Sequence, residues 1–526
     1  VLESGSQTLF KANDYIEFYG LRNDGKKDKK LYRKADFQLG DTYSMISDTS
    51  SYFLTVNTAG NNKRFQDAVN DVAANVLPAE KYFMNEKVVS FNTTLNQGFA
   101  IPVGGVYLYS SAFDEGEGWS SRNVTPASSL SATFDKLNLY SAGPPASLSY
   151  SAVGSAFNSR NIKVMFGSTF VDETPMPYFN YVKRTIPTVP ISLFPNPNWV
   201  NATFYNTSTV STDRLVVSTV QLTYPSTFNF NNQSRFSFNL APSSQGNYLE
   251  ITNFSNSGVA PVLYDKTNLK RYVGDISTPG KIKFALPAST ASSRQFQLVT
   301  QAPDSLLTVT SLKQRNFIDY SKPENQGNYI IISNPLLYTS TSGKNYVEEY
   351  RQYRSSSAGG GYKAIIIDID ELTDQFAYGI AKHPLGIKEF IQFASANFNP
   401  KPQFVFLIGK GVSYDEAMNN KNSNYIGSIN LVPTFGNPAS DILLSSGYGG
   451  VTNPKIPIGR LSVVHGDEVG NYLDKMKTYE GEQQSTEYTL DNKLWAKNVV
   501  QIVGGKDNTE NGDFRNFMYG YKMQLE

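Results

Sequence analysis

The hydrophobic pattern changes character near Asn316, and this change limits the folds open to the chain. Before it, short runs such as Arg-Phe-Ser-Phe-Asn-Leu at 235–240 alternate polar and apolar residues between turn residues, as in strands with one buried face. After it, continuous apolar runs alternate with helical stretches. Because a single core stops growing at roughly 250–300 residues, we expect a multidomain protein with an all-β N-terminal part followed by an α/β part.

The N-terminal part divides further into a β-rich segment over 1–60 and antiparallel β-sandwiches over 61–315. Alternating residues at 14–19 and 51–56 predict hairpin strands in the first segment. The charged run between them, 26–30, is interpreted as a solvated loop tip without function.

The C-terminal part, 316–526, has the pattern of a parallel sheet whose strands are buried on both faces. Strands are predicted at 328–333, 364–369, 404–409, 456–461 and 498–503, with helices at 346–354, after Pro384 and at 468–480. This part is expected to be an incomplete sheet that stops short at the C-terminus. In such sheets, ligands and chemistry lie beyond the carboxyl ends of the strands.

Composition excludes several classes of function. Lys and Arg total 47 against 46 for Asp and Glu, so no net field attracts nucleic acid. There is no cysteine, which removes disulfides, Cys-ligated metals and a thiolate nucleophile within these residues. Neither an apolar run long enough for a spanning helix nor a signal peptide is evident, and we expect a soluble chain that is mature or trimmed.

The remaining motifs give no catalytic constellation. His383 and His465 lack a second histidine at ligand spacing and are interpreted as structural residues at helix starts. The strand-end acids Asp368, Asp370 and Asp441 could bind a cation or a basic group, but helix capping explains them equally well. No nucleophile elbow or phosphate loop is found. We therefore predict no catalytic residue, metal or cofactor in this chain.

Three stretches resemble the first half of a gingipain-type cysteine peptidase domain, which has a caspase-like fold. The first is Phe-Val-Phe-Leu-Ile-Gly at 404–409 with Val-Pro-Thr-Phe at 432–435 and Ser440-Asp441; the second is Ile-Pro-Ile-Gly-Arg-Leu at 456–461 with a helix ending in Tyr-Glu at 479–480. The third, 375–387, resembles the type IX secretion sortase (PorU-like) branch.

The resemblance implies a cysteine peptidase in which a histidine activates a cysteine. It also implies removal of C-terminal sorting domains from exported cargo at the surface of a Bacteroidota-type bacterium. The implied partners are an outer-membrane β-barrel protein of the PorV type and a surface lipopolysaccharide acceptor.

The sequence departs from the family because the expected histidine and cysteine would lie beyond residue 505, and no cysteine follows. Lys410, Ser440 and Asp441 are predicted to lie near the rim of the cleft, without a catalytic role. The alternative is a non-catalytic surface or secretion-apparatus scaffold with a relic peptidase domain.

Overall fold

The computed structural model describes residues 2–3, 14–56, 63–487, 489–505 and 507–525. Its first strands are β1 (Leu2–Glu3), β2 (Ile16–Glu17) and β3 (Gln66–Ala68). The strand predicted at 14–19 is therefore reduced to the two residues of β2, which pair with β1. The strand predicted at 51–56 is wrong, because these residues are exposed and pair with no strand.

A first β-sandwich follows. Its strands and their side ribbons are β4 (Phe83–Ser90), β5 (Thr94–Asn96), β6 (Ala100–Val103), β7 (Val106–Tyr109), β8 (Gly118–Ser120), β9 (Leu130–Phe134), β10 (Ala146–Gly154), β11 (Asn161–Phe166), β12 (Thr169–Pro175), β13 (Tyr181–Val189), β14 (Val200–Asn206) and β15 (Leu215–Ser226). The two antiparallel sheets have the orders β13-β10-β15-β4 and β12-β11-β14-β9. Alternate residues of β11, namely Ile162, Val164 and Phe166, are fully buried, as the period of two requires.

A second sandwich has its own aromatic core, in which Phe230, Phe284 and Phe296 are fully buried. Its strands are β16 (Asn229–Gln233), β17 (Arg235–Leu240), β18 (Asn247–Phe254), β19 (Val262–Asp265), β20 (Lys270–Val273), β21 (Lys281–Leu286) and β22 (Arg294–Val299). The sheets have the orders β16-β18-β21 and β17-β22-β19-β20-β3. The pairs β16/β18 and β20/β3 are parallel, so this sandwich is not purely antiparallel.

The α/β part contains four parallel strands in the order β24-β23-β25-β26. They are β23 (Tyr329–Ser333), β24 (Ala364–Asp368), β25 (Phe404–Ile408) and β26 (Ile458–Leu461). The helices are α1 (Tyr346–Ser355), α2 (Ile369–Phe376), α3 (Leu385–Asn397), α4 (Tyr414–Asn419), α5 (Asn424–Ile429), α6 (Ile442–Ser445), α7 (Gly466–Gln484), α8 (Leu490–Lys493) and α9 (Asn508–Leu525). The predicted order of an all-β region followed by a parallel-sheet α/β region is confirmed.

The strand predicted at 498–503 is wrong. These residues carry neither helix nor strand, and Val499, Val500 and Ile502 are exposed. An apolar run becomes a strand only where a neighbouring strand accepts its backbone hydrogen bonds, and none in the described part of the chain pairs with it.

The N-terminal segment packs into the α/β core. Leu31, Tyr32 and Phe37 share one hydrophobic cluster with the strands β23 and β25, and Phe113 from the loop before β8 joins them. Residues Lys26–Leu31 form a 3₁₀-helix with Asp28 and Leu31 buried. The interpretation of 26–30 as a solvated loop tip is thus wrong for Asp28, which is buried, while the four lysines of the run are exposed as predicted. One of them, Lys30, has its Nζ 2.8 Å from Glu389 Oε1 of the α/β part.

Candidate strand-end site

The strand order β24-β23-β25-β26 places the direction reversal of the sheet between β23 and β25. Loops leaving two such strands diverge, and this opens a crevice at their carboxyl ends. The crevice is closed at its base by Ser333, whose Oγ donates to Ile408 O at 3.0 Å, and by Asn334, whose Nδ2 donates to Leu431 O at 3.2 Å. The loops after β23 and β25 are therefore fixed to each other.

Arg460, on β26, organises the loop that follows β25. Its Nε and Nη2 contact Asp441 Oδ2 and Oδ1 at 2.7 and 2.8 Å. Nη1 donates to Gly409 O at 2.7 Å and to Val432 O at 2.8 Å, and Nη2 also donates to Pro433 O at 3.1 Å. One planar guanidinium thus holds three carbonyls and a carboxylate in fixed positions, which a lysine ammonium cannot reproduce.

The three predicted rim residues lie along this loop. The backbone of Lys410 is fixed on both sides, because its N–H donates to Val463 O and its carbonyl accepts from Leu431 and Val432. Ser440 donates its backbone N–H to Phe435 O at 2.8 Å. Arg460 connects Asp441 to the backbone beside Lys410, because it binds the carboxylate of Asp441 and the carbonyl of Gly409. Whether these residues border a substrate cleft stays a prediction.

Asp441 cannot serve as a free receptor for a basic substrate group in this arrangement. Both of its oxygens accept from Arg460, and Oδ1 also accepts from Thr434 Oγ1 at 2.9 Å. In the sequence, Arg460 was recognised only as part of a family motif, and its contacts with Asp441 and the loop carbonyls were not predicted. The available signal was a single arginine at the end of an otherwise apolar strand, where a charge needs a partner.

A second group of polar residues surrounds the end of β24. Asp368 caps α2 by accepting from Asp370 N at 2.8 Å, as the capping interpretation predicts. Burial raises the pKa of Asp368, and the neighbouring acids raise it further. Burial also raises the pKa of Tyr338, with Asp368 and Asp370 adding to the effect, and its buried hydroxyl has no hydrogen-bond partner among the described residues. Burial and neighbouring negative charge thus both oppose ionisation of Asp368 and Tyr338.

Both histidines are structural. His383 Nδ1 accepts from Leu385 N at 3.2 Å and Nε2 lies 3.1 Å from Asp28 Oδ1, so the proton resides on Nε2. His465 is the N-cap of α7, and its backbone N–H donates to Glu468 Oε2 at 3.0 Å. Across the described ranges, no group of three or more His, Cys, Asp or Glu residues is arranged to hold a metal ion.

A buried carboxyl group joins the first sandwich to the α/β part. Glu117, the residue before β8, accepts from Asp114 N at 2.9 Å and from the hydroxyl of Tyr414 on α4. Burial raises the pKa of Glu117 well above its usual value, and the hydrogen bonds reverse this only in part. Tyr32 donates its hydroxyl to the Glu117 carbonyl at 2.6 Å, so three chain segments meet here. We call this contact the Glu117 seam.

Residues 322–525 match the family model described as peptidase family C25. No curated protein matches the chain. Among solved structures, dimeric latent PorU from Porphyromonas gingivalis is similar with 13% identity and a TM-score of 0.49, over 83% of this chain and 41% of that one. The chain thus spans about two-fifths of the length of that structure.

Two carbohydrate-binding modules also match part of the chain. The module CBM36 in complex with calcium and xylotriose is 12% identical, over 26% of this chain and 98% of the module, with a TM-score of 0.17. A CBM36-1 domain of a xylanase from the hindgut metagenome of Trinervitermes trinervoides is 11% identical, over 26% and 96%, also with a TM-score of 0.17. We base no functional statement on these two likenesses.

Proposed function

We propose that this chain, whose residues 322–525 match peptidase family C25, the gingipain family, is part of a cysteine peptidase of the type IX secretion sortase kind. Such an enzyme removes C-terminal sorting domains from exported cargo and attaches the cargo to a lipopolysaccharide acceptor at the cell surface. A β-barrel protein of the PorV type in the outer membrane is its proposed partner.

The observation that carries the proposal is the family match over the parallel sheet and the strand-end loops, which Arg460 holds in fixed positions. These loops lie where α/β proteins place their chemistry. They offer no thiolate, because the 526 residues contain no cysteine. In this proposal, the nucleophile and its histidine base come from residues outside this sequence, while this chain supplies the sheet and one wall of the cleft.

A second function is favoured by one specific observation. His383 contacts Asp28 and the backbone of Leu385, and His465 begins α7, so both histidines of the sequence have structural roles. A surface scaffold that binds partners and carries a relic peptidase domain would look the same over these residues. No described helix is long and apolar enough to cross a membrane.

The test uses the protein isolated from its native cells. Its intact mass and peptide map are compared with the 526 residues, and cleavage of a reporter carrying a cargo sorting domain is measured with and without a thiol-alkylating reagent. We expect a larger polypeptide or a co-purifying fragment that contains cysteine, and cleavage that alkylation abolishes. A mass equal to that of the 526 residues, with no co-purifying polypeptide that contains cysteine and no cleavage of the reporter, would favour the non-catalytic scaffold instead.

The rim prediction has its own test in the active protein. Alanine variants of Lys410 and Ser440 should change the ratio of kcat/KM between two reporter sequences while leaving the unfolding transition unchanged. Asp441→Ala is less informative alone because it also leaves Arg460 without its carboxylate. Wild-type ratios for both Lys410→Ala and Ser440→Ala would remove these residues from the cleft rim.

A further inference from the structure

A buried lysine joins α3 to α6. Lys388, on α3, is 3% exposed. Its Nζ donates to Leu443 O at 2.7 Å, to Ser446 O at 2.8 Å and to Gly447 O at 3.2 Å. These carbonyls lie in and just after the end of α6, where a helix leaves its last C=O groups without intrahelical partners. An ammonium group has three donors, so Lys388 satisfies three such acceptors from a neighbouring helix.

Lys388 also contacts the start of the loop that leads into α6. Its Nζ lies 5.3 Å from the centre of the Phe435 ring. The carbonyl of Phe435 accepts from Ser440 N at 2.8 Å. Ser440 and Asp441 therefore lie on a loop, residues 435–447, whose two ends both contact Lys388. We call this segment the rim loop.

Two cations hold opposite ends of α6. Arg460, on β26, binds the carboxylate of Asp441, which is the N-cap of α6. Lys388 binds the carbonyls at the other end. Leu444 N donates to Asp441 O at 3.0 Å, so the two ends are joined by a single helical turn. Because one turn rises only about 5.4 Å, movement at the Lys388 end reaches Asp441 directly.

The position of Lys388 is costly for an ammonium group. Burial lowers the pKa of Lys388 to about 8, while Glu389 opposes the shift and Lys455 adds to it. An apolar side chain would fill the same space without this cost, so the property that distinguishes lysine here is its set of donors. We propose that Lys388 is a positioning residue that closes the rim loop and thereby holds Ser440 and Asp441 at the strand-end crevice. The effect on substrate rests on the proposed function, whereas the effect on the loop does not.

The first experiment measures hydrogen exchange of the full chain at pH about 7, below the pKa of Lys388, where the ammonium is protonated. Lys388→Met keeps the length of the side chain but removes its donors, so three carbonyls lose their partner. The amides of Ser440, Leu444 and Ser446, which are all hydrogen-bonded within the rim loop, should then exchange at least about tenfold faster.

The matched control is Lys401→Met. Lys401 Nζ also donates to two helix carbonyls, Ser395 O at 3.1 Å and Ala396 O at 2.7 Å, but its side chain is exposed and outside the rim loop. The control should leave the three rim-loop amides unchanged. Wild-type exchange in Lys388→Met, or equal acceleration in both variants, would overturn the proposal. If Lys388→Met does not fold, Lys388→Gln takes its place, since two donors on a shorter side chain cannot serve three carbonyls; unchanged exchange there would overturn the proposal as well.

A second measurement, in the complete active protein, connects the loop to substrate. Lys388→Met should change the ratio of kcat/KM between two reporter sequences, through KM more than kcat, as Ser440→Ala does. Faster exchange with a wild-type ratio in Lys388→Met, while Ser440→Ala alters the ratio, would show a structural role alone and overturn the positioning role. Wild-type ratios in both Lys410→Ala and Ser440→Ala would instead remove the rim from the proposed function. The exchange experiment alone would then support or overturn the closure of the loop by Lys388.

Discussion

Two buried carboxyl groups of this protein have opposite surroundings. Asp213, in the first sandwich, is fully buried with Arg160, whose Nε and Nη2 contact its two oxygens at 2.6 Å. Burial alone would raise the pKa of Asp213, but hydrogen bonds from Arg160, Asn206 and Asn158 outweigh it and hold the pKa below the usual value. Glu117, at the seam, has a phenol instead of a guanidinium, and its pKa is raised.

The two groups therefore link folding to pH with opposite signs. A lowered pKa contributes stability above the pKa of the unfolded chain, and this contribution is lost as the pH falls through the folded value. A raised pKa contributes stability that is complete below the unfolded value and is lost as the pH rises through the folded value. Acidification should thus weaken the core of the first sandwich while strengthening its attachment to the α/β part.

Arg160→Met should give the largest effect of any single change in this comparison. It leaves the carboxylate of Asp213 buried without its cation, and it also removes donors to the carbonyls of Met176, Tyr178 and Ala156. We expect the free energy of unfolding of the sandwich to fall by about 3–5 kcal/mol, measured by urea titration followed through hydrogen exchange of β10 and β15.

The control for this change is Arg184→Met. Arg184 lies 3.4 Å from Asp172, but its side chain is 54% exposed. A pair so open to solvent contributes about 0–1 kcal/mol. Equal losses from Arg160→Met and Arg184→Met would show that burial does not distinguish the two arginines.

Arg460→Lys tests a contact of intermediate exposure. Its side chain is 11% exposed and that of Asp441 is 23% exposed, so solvent compensates part of any loss. A lysine keeps the charge but cannot contact Asp441 and three carbonyls together. We expect a loss of about 1–3 kcal/mol, seen as faster hydrogen exchange of Leu431 and Val432 amides. Arg351→Lys, in a more exposed pair with Glu348 on α1, should leave these amides unchanged.

The sequence was sufficient for the four strands of the parallel sheet, because a run such as Ile330-Ile331-Ile332 is buried on both faces wherever the sheet places it. The sequence was insufficient at 51–56 and 498–503, where strands were predicted from an alternating and a continuous apolar pattern but these residues form no strand. A β-strand forms only when a second segment accepts its backbone hydrogen bonds, and the sequence of one segment does not show whether such a partner exists.

The site shows the same limit. Asp368 was correctly interpreted as a cap because the capping partner lies two residues away. The contact of Asp28 with His383 joins residues 355 positions apart, and a charged run gives no sign of such a partner. The role of Arg460 likewise depends on three carbonyls from a loop about 30 to 50 residues earlier. Local pattern therefore predicts caps and strands, while long-range polar contacts require the folded structure.

The smallest effect is expected from Glu117→Gln. The amide keeps an acceptor for Asp114 N and can donate to the Tyr414 hydroxyl, so it imitates the protonated carboxyl group. At neutral pH the free energy of unfolding should be unchanged within about 1 kcal/mol or slightly higher, because no charge is buried at the seam. Below the usual pKa of a glutamate the variant should have no advantage.

The decisive measurement is the hydrogen exchange of the amides of residues 113–118 as a function of pH, corrected for intrinsic exchange. In the wild type, protection should fall as the pH rises above the usual range of a glutamate; in Glu117→Gln this fall should be absent. Glu416→Gln, an exposed residue on the same helix as Tyr414, should behave like the wild type. A fall of protection that persists in Glu117→Gln would assign the pH dependence to the neighbouring acids Asp114 and Glu115, whose pKa values burial also raises, and the contrast of Glu117 with Asp213 would no longer hold.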